Sequence, residues 1–168
     1  LSKSDCIILA GVGSFDYAMS TIIERNWYEE ISEQVLIKKK IILGICLGMQ
    51  LLCKSSEEGS KKGFGFIDAD VKKFNSNKYS IKIPHMGWSY INGIKENNPF
   101  NWFENDQRFY FAHSYYAQCN DKKNILAEAK YGINFHASIN KENIYGVQFH
   151  PEKSHKSGLI FLKNFNEI

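Results

Sequence analysis

The sequence predicts an α/β fold: a mostly parallel central sheet flanked by helices, with antiparallel strands on one flank. Three observations predict it. Two unbroken apolar runs, 6–10 and 41–45, each pass into apolar residues at helical spacing, the alternation that builds parallel sheets. Between residues 66 and 139 the pattern changes to short alternating segments of hairpin type. A last apolar run, 144–149, precedes a closing helix.

The 168 residues suit one domain with a full core, over 1–168. The chain is 43% hydrophobic and 23% charged, and its net charge of +3 is too small to indicate nucleic acid. Clusters such as Lys38-Lys39-Lys40 read as solvated helix ends. No apolar run approaches the ~20 residues of a membrane span, and no signal peptide is visible. Cys6, Cys46, Cys53 and Cys119 lack the spacing of metal ligands and are sparse for a disulfide framework, which points to a reducing cytoplasm. Neither a metal nor a cofactor is expected.

In chain order, strand 6–10 enters Gly11-Val12-Gly13, and Ser14 or Asp16 then caps a helix with Phe15, Ala18, Met19, Ile22 and Ile23 inward. Gly-x-Gly after a strand lacks the third glycine of a dinucleotide fingerprint; its other reading is a loop whose bare amides face a reacting group. A second helical stretch, 27–40, turns Ile31, Val35 and Leu36 inward. Strand 41–45 is apolar on both faces, and Leu47, Leu51 and Leu52 continue it as a helix. Residues 55–65 form a polar, glycine-rich surface connection. Segments 66–74, 80–83, 108–116, 125–130 and 135–139 read as antiparallel strands. After strand 144–149, Ser154 caps a helix with Leu159, Leu162 and Phe165 inward.

Two places carry chemistry. Gly44-Ile45-Cys46-Leu47-Gly48 is the thiol counterpart of the Gly-x-Ser-x-Gly nucleophile elbow, whose tight strand-to-helix turn needs small neighbours. A thiol at a helix N-terminus also meets the positive end of the helix dipole, which favours the thiolate. A buried structural cysteine is the other reading. At His150-Pro151-Glu152 the proline favours extended geometry for His150, so that imidazole and carboxylate project to one side and the acid fixes the ring tautomer. A structural histidine stays open there. His136 and His155 read as surface residues.

Together, Ala10-Gly11-Val12-Gly13-Ser14-Phe15, Gly44-Ile45-Cys46-Leu47-Gly48-Met49-Gln50 and Gln148-Phe149-His150-Pro151-Glu152-Lys153-Ser154 resemble the class I, triad-type glutamine amidotransferases. Within that family, Pro84-His85-Met86-Gly87-Trp88 and Phe109-Tyr110-Phe111-Ala112-His113-Ser114-Tyr115 are similar to the glutaminase subunits of imidazole glycerol phosphate synthase. The resemblance implies a flavodoxin-like three-layer fold and glutamine hydrolysis through Cys46, His150 and Glu152. It implies oxyanion donors at Leu47 and in the Gly11-Val12-Gly13 loop, and glutamine held by Gln50, Ser114 and Tyr115. It also implies a heterodimer with a (β/α)8-barrel cyclase, docked over Pro84, Met86, Gly87, Trp88 and Lys153.

The match departs from the family pattern in three respects. Residues 6–13 match the family's second strand and loop, so the first β-α unit is expected to be absent from this chain, leaving a sheet edge bare. Ala10 stands where a proline is common, and Ser89 where an asparagine is usual. Three other functions therefore stay open. One is a paralogous glutaminase feeding another amidotransferase, such as one modifying a bacterial surface sugar. Another is a catalytically silent subunit that binds a partner, and the last is a thiol peptidase or γ-glutamyl hydrolase.

Overall fold

The computed structural model describes residues 4–94 and 107–168. Ten strands are found among them. They are β1 (Cys6–Gly11), β2 (Ile41–Cys46), β3 (Ser55–Ser56), β4 (Ala69–Lys73), β5 (His85–Gly93), β6 (Arg108–His113), β7 (Tyr115–Cys119), β8 (Ile125–Tyr131), β9 (Ile133–Lys141) and β10 (Ile144–Val147). The helices are α1 (Phe15–Glu24), α2 (Trp27–Ser32), α3 (Leu47–Leu51), α4 (Ser76–Tyr79) and α5 (His155–Phe165). No described helix is long and apolar enough to cross a membrane.

The larger sheet runs β1-β2-β10-β9-β8-β5-β6, and the smaller β3-β4-β7. Parallel pairing joins β1, β2 and β10; from β10 to β6 every pairing in the larger sheet is antiparallel. The sheet is thus mixed, with its parallel part at the strand–helix alternations read from the sequence and its antiparallel flank the more extensive part. Strand β2 is buried on both faces. Ile42 packs in a core with Phe15, Met19, Leu52 and Val71, while its neighbour Leu43 packs on the other side with Val147, Phe149 and Phe161. At the edge, β1 carries Ile8 half exposed.

Several local expectations are corrected. The helix after Trp27 ends at Ser32 and continues as a π-helical turn, Glu33–Ile37. That wider turn rotates the register, so Val35 is buried while Leu36 is exposed. In α1, Ile22 is buried but Ile23 faces out; in α5, Phe161 and Phe165 are buried and Leu159 is 71% exposed. Segment 80–83 forms no strand, and β5 follows it instead. Ser14 occupies the N-cap position of α1 as expected, but its side chain makes no capping bond: the Phe15 amide donates to Glu58 Oε2 at 2.9 Å, and Asp16 accepts from the amides of Ser60 and Lys61. His136 is mostly buried and accepts from the Cys119 amide. The four cysteines are free.

Candidate active site

Cys46 sits where β2 turns into α3, with φ 54° and ψ −108°. A side chain other than glycine adopts positive φ at a cost, and keeps it only where its surroundings impose it. Here the flanking glycines let the turn close. A Cβ on Gly44 would stand 2.6 Å from the Met49 amide nitrogen, and one on Gly48 would overlap the Leu9 carbonyl oxygen of β1. The helix can begin this hard against a neighbouring strand only with hydrogen at both positions.

Cys46 is 6% exposed and borders a cleft of about 240 Å³. Burial pushes its pKa up to about 11, outweighing the Leu47 amide and the Gln148 side chain, which draw it down. The lowering expected from the helix N-terminus therefore does not prevail. Helix α3 has only five residues, and its end does not offset the desolvation of the sulfur. At neutral pH Cys46 keeps its proton and needs a base.

His150 lies just beyond β10, which runs parallel to β2 with Val147 opposite Ile45, so both strands end on the same side of the sheet. The side chain is 4% exposed, and Nδ1 lies 2.8 Å from Glu152 Oε1. The pair forms as read, but not along an extended chain. His150 itself is extended, whereas Pro151–Lys153 is a 3₁₀ turn that folds the carboxylate back to the ring. The negative charge of Glu152 also reaches Cys46, where it raises the thiol pKa.

The backbone of His150 is clamped. Its amide donates to the Tyr110 carbonyl at 2.9 Å, and the Ser154 hydroxyl donates to its carbonyl at 2.6 Å while accepting from the Tyr110 amide at 3.0 Å. Ser154 was expected as a helix cap. It stands at the N-cap position of α5 without making a capping bond, because its hydroxyl is already committed to His150 and β6.

Of the remaining predicted residues, Gly87, Trp88 and Lys153 do not line the cleft, and most of the others do. Val12, Gly13, Leu47, Gln50, Ser114 and Tyr115 line it; Gly11 ends β1 opposite Cys46, at the root of the loop. Gln50 is buried, its amide nitrogen 3.0 Å from both the Tyr115 carbonyl and Gln148 Oε1. Pro84 and Met86 rim the same cleft. Gly87, with φ +138°, and Trp88 follow on β5. The Trp88 indole is 40% exposed, stacks on His155 and lies under the Arg108 guanidinium. Lys153 is exposed, next to Glu152.

Sequence reasoning missed two residues. Glu58 lines the same cleft as Cys46 while capping α1, yet a glutamate inside a polar loop carries no signal of either role. Gln148, wholly buried, donates to Cys46 Sγ at 3.6 Å. A polar residue inside the apolar run 144–149 was the signal that could have found it.

The family model for glutamine amidotransferase class-I matches residues 2–167. The imidazole glycerol phosphate synthase subunit HisH of Leptospira borgpetersenii is 50% identical over all of this chain and 83% of its own length. A protein of the same description, subunit HisH 2 of Methanococcus maripaludis, is 52% identical over 98% of this chain and 81% of its own. Among solved structures, PurLQS from Thermotoga maritima superposes with a TM-score of 0.73 at 21% identity, over 99% of this chain and 81% of that one, a likeness of fold.

Proposed function

This chain belongs to the class-I glutamine amidotransferases, and we propose that it is the glutaminase subunit of imidazole glycerol phosphate synthase, converting L-glutamine to glutamate and ammonia for histidine biosynthesis. Relatives of that description at 50% and 52% identity support this acceptor over a surface-sugar amidotransferase. One observation carries the chemistry. A buried thiol on a strained elbow borders a cleft, and a His–Glu pair stands at the same end of the adjacent parallel strand.

Cys46 attacks the side-chain amide carbon of glutamine as His150 Nε2 takes the thiol proton, and that proton then leaves with ammonia. Glu152 accepts from Nδ1–H, which fixes Nε2 as the base and stabilises the imidazolium. Water hydrolyses the thioester by the same route, releasing glutamate. The Leu47 amide and one from the Gly11-Val12-Gly13 loop serve the tetrahedral oxyanion; losing one such donor costs about 10²–10³ in rate. Glu58 supplies negative charge for the substrate's α-ammonium group. Gln50, Ser114 and Tyr115 complete the amino-acid site.

Ammonia loses its nucleophilicity once protonated in bulk water, so the product has to be handed over directly. Pro84 and Met86 join the cleft to the exposed face of β5, which supports docking of a separate (β/α)8-barrel cyclase over Pro84, Met86, Gly87, Trp88 and Lys153. Such a heterodimer would work in the cytoplasm, needs no cofactor in this chain, and treats residues 1–168 as one domain. The test is glutamine hydrolysis, measured with and without that cyclase. Turnover is expected to rise with it and to fall by roughly 10³-fold or more in Cys46→Ala. Substantial hydrolysis by the Cys46→Ala chain would overturn the proposal.

A further inference from the structure

Buried and partly buried hydrogen bonds beside the cleft join into one chain whose direction is fixed at every link. His113 Nδ1 lies 2.7 Å from the Tyr115 carbonyl oxygen, which can only accept. That nitrogen therefore carries the hydrogen, and Nε2 of the neutral ring is left as an acceptor. His85 Nδ1, 3.1 Å from this Nε2, must donate to it. His85 Nε2 is then an acceptor for the Ser89 hydroxyl at 3.0 Å.

On the other side, the same Tyr115 carbonyl accepts from Gln50 Nε2, whose second hydrogen goes to Gln148 Oε1. Gln148 Nε2 is thereby turned toward Cys46 Sγ. Flipping either amide would set donor against donor or leave the Tyr115 carbonyl facing an oxygen. Burial holds His113 neutral down to a pKa of about 3 and His85 down to about 4, so neither ring changes role near neutral pH.

We propose that Ser89, His85, His113 and Gln148 are positioning residues, which through this chain hold the Cys46 sulfur and the Gln50 amide in their working orientations. The assignment rests on Cys46 being the nucleophile. Buried polar groups at 0–5% exposure, as in Gln148, His85, Gln50 and His113, are costly unless paired, and each here is paired within the chain. Ser89, at the far end, tests the idea most cleanly because it touches neither sulfur nor cleft.

The experiment measures glutamine hydrolysis by the chain with its cyclase, and separately the iodoacetamide alkylation rate of Cys46, followed by peptide mass. The variants are Ser89→Ala, Ser89→Thr and Gln148→Leu. Loss of one ordinary hydrogen bond corresponds to a roughly three- to ten-fold effect. Ser89→Ala and Gln148→Leu should each lower kcat by about that factor and change the alkylation rate, with KM moving less. Ser89→Thr, which keeps the hydroxyl, should restore both. Wild-type kcat and alkylation rate in Ser89→Ala, or failure of Ser89→Thr to restore them, would overturn the proposal. Failure of the nucleophile assignment would appear separately, as hydrolysis surviving Cys46→Ala while the alkylation responses persist.

Discussion

His150 Nδ1 and Glu152 Oε1 stand 2.8 Å apart, joined across a 3₁₀ turn whose first residue is Pro151. That contact sets the ring's hydrogen on Nδ1 and leaves Nε2 as the basic nitrogen. It also divides two tasks. The ring is buried, where its orientation is controlled, while the carboxylate keeps a side chain 54% exposed.

Replacing Glu152 by alanine should therefore lower kcat by about 10²–10⁴-fold, the range for misplacing a general base. Thermal stability should hardly change, since the carboxylate is solvated. Steady-state kinetics beside a thermal melt separates the two effects.

Gly48→Ala should fail for a different reason. Its Cβ would overlap the Leu9 carbonyl oxygen, which is backbone of the neighbouring strand and cannot swing aside. A loss on the order of 3 kcal/mol or more is expected, read as a lower denaturant midpoint. An unshifted midpoint would show that the elbow is looser than its geometry.

Legibility in the sequence followed how local each feature was. The elbow was readable because Gly44 and Gly48 announce a turn that no Cβ would permit. Strands β1, β2 and β10 were readable as apolar runs. Strand β5 was not, because Met86, Trp88 and Tyr90 face outward and blur the alternation. Glu58 and the directed chain through His85 and His113 depend on strand pairing between residues far apart, such as His85 opposite His113. Leu36 was misplaced because a π turn changes the period on which inward and outward faces are counted.

Glu58→Gln keeps an oxygen to accept from the Phe15 amide but removes the charge facing the cleft. KM for glutamine should rise by about ten-fold or more, with a smaller change in kcat, as for a group binding ground and transition states alike. Initial rates over a range of glutamine concentrations decide it.

Acid should destabilise the fold through its buried histidines. His85 and His113 have folded pKa values of about 4 and 3, against about 6.5 in an unfolded chain. Above about pH 6.5 the rings are neutral in both states and contribute no slope. Below it the unfolded chain takes up protons that the folded rings refuse, so stability falls as pH drops, by up to about 1.4 kcal/mol per pH unit for each ring. His136, also lowered by burial, acts in the same sense. Denaturant unfolding from about pH 7 to about pH 4.5 should show this decline; a flat profile would contradict the neutral pair.

The most direct measurement is covalent. A glutamine analogue carrying a diazoketone in place of the side-chain amide, incubated with the chain and its cyclase, should leave one adduct. Peptide mass spectrometry should place it on Cys46, and His150→Ala should slow its formation sharply. An adduct on Cys6, Cys53 or Cys119, or labelling of Cys46 at an undiminished rate without His150, would contradict the nucleophile and its base.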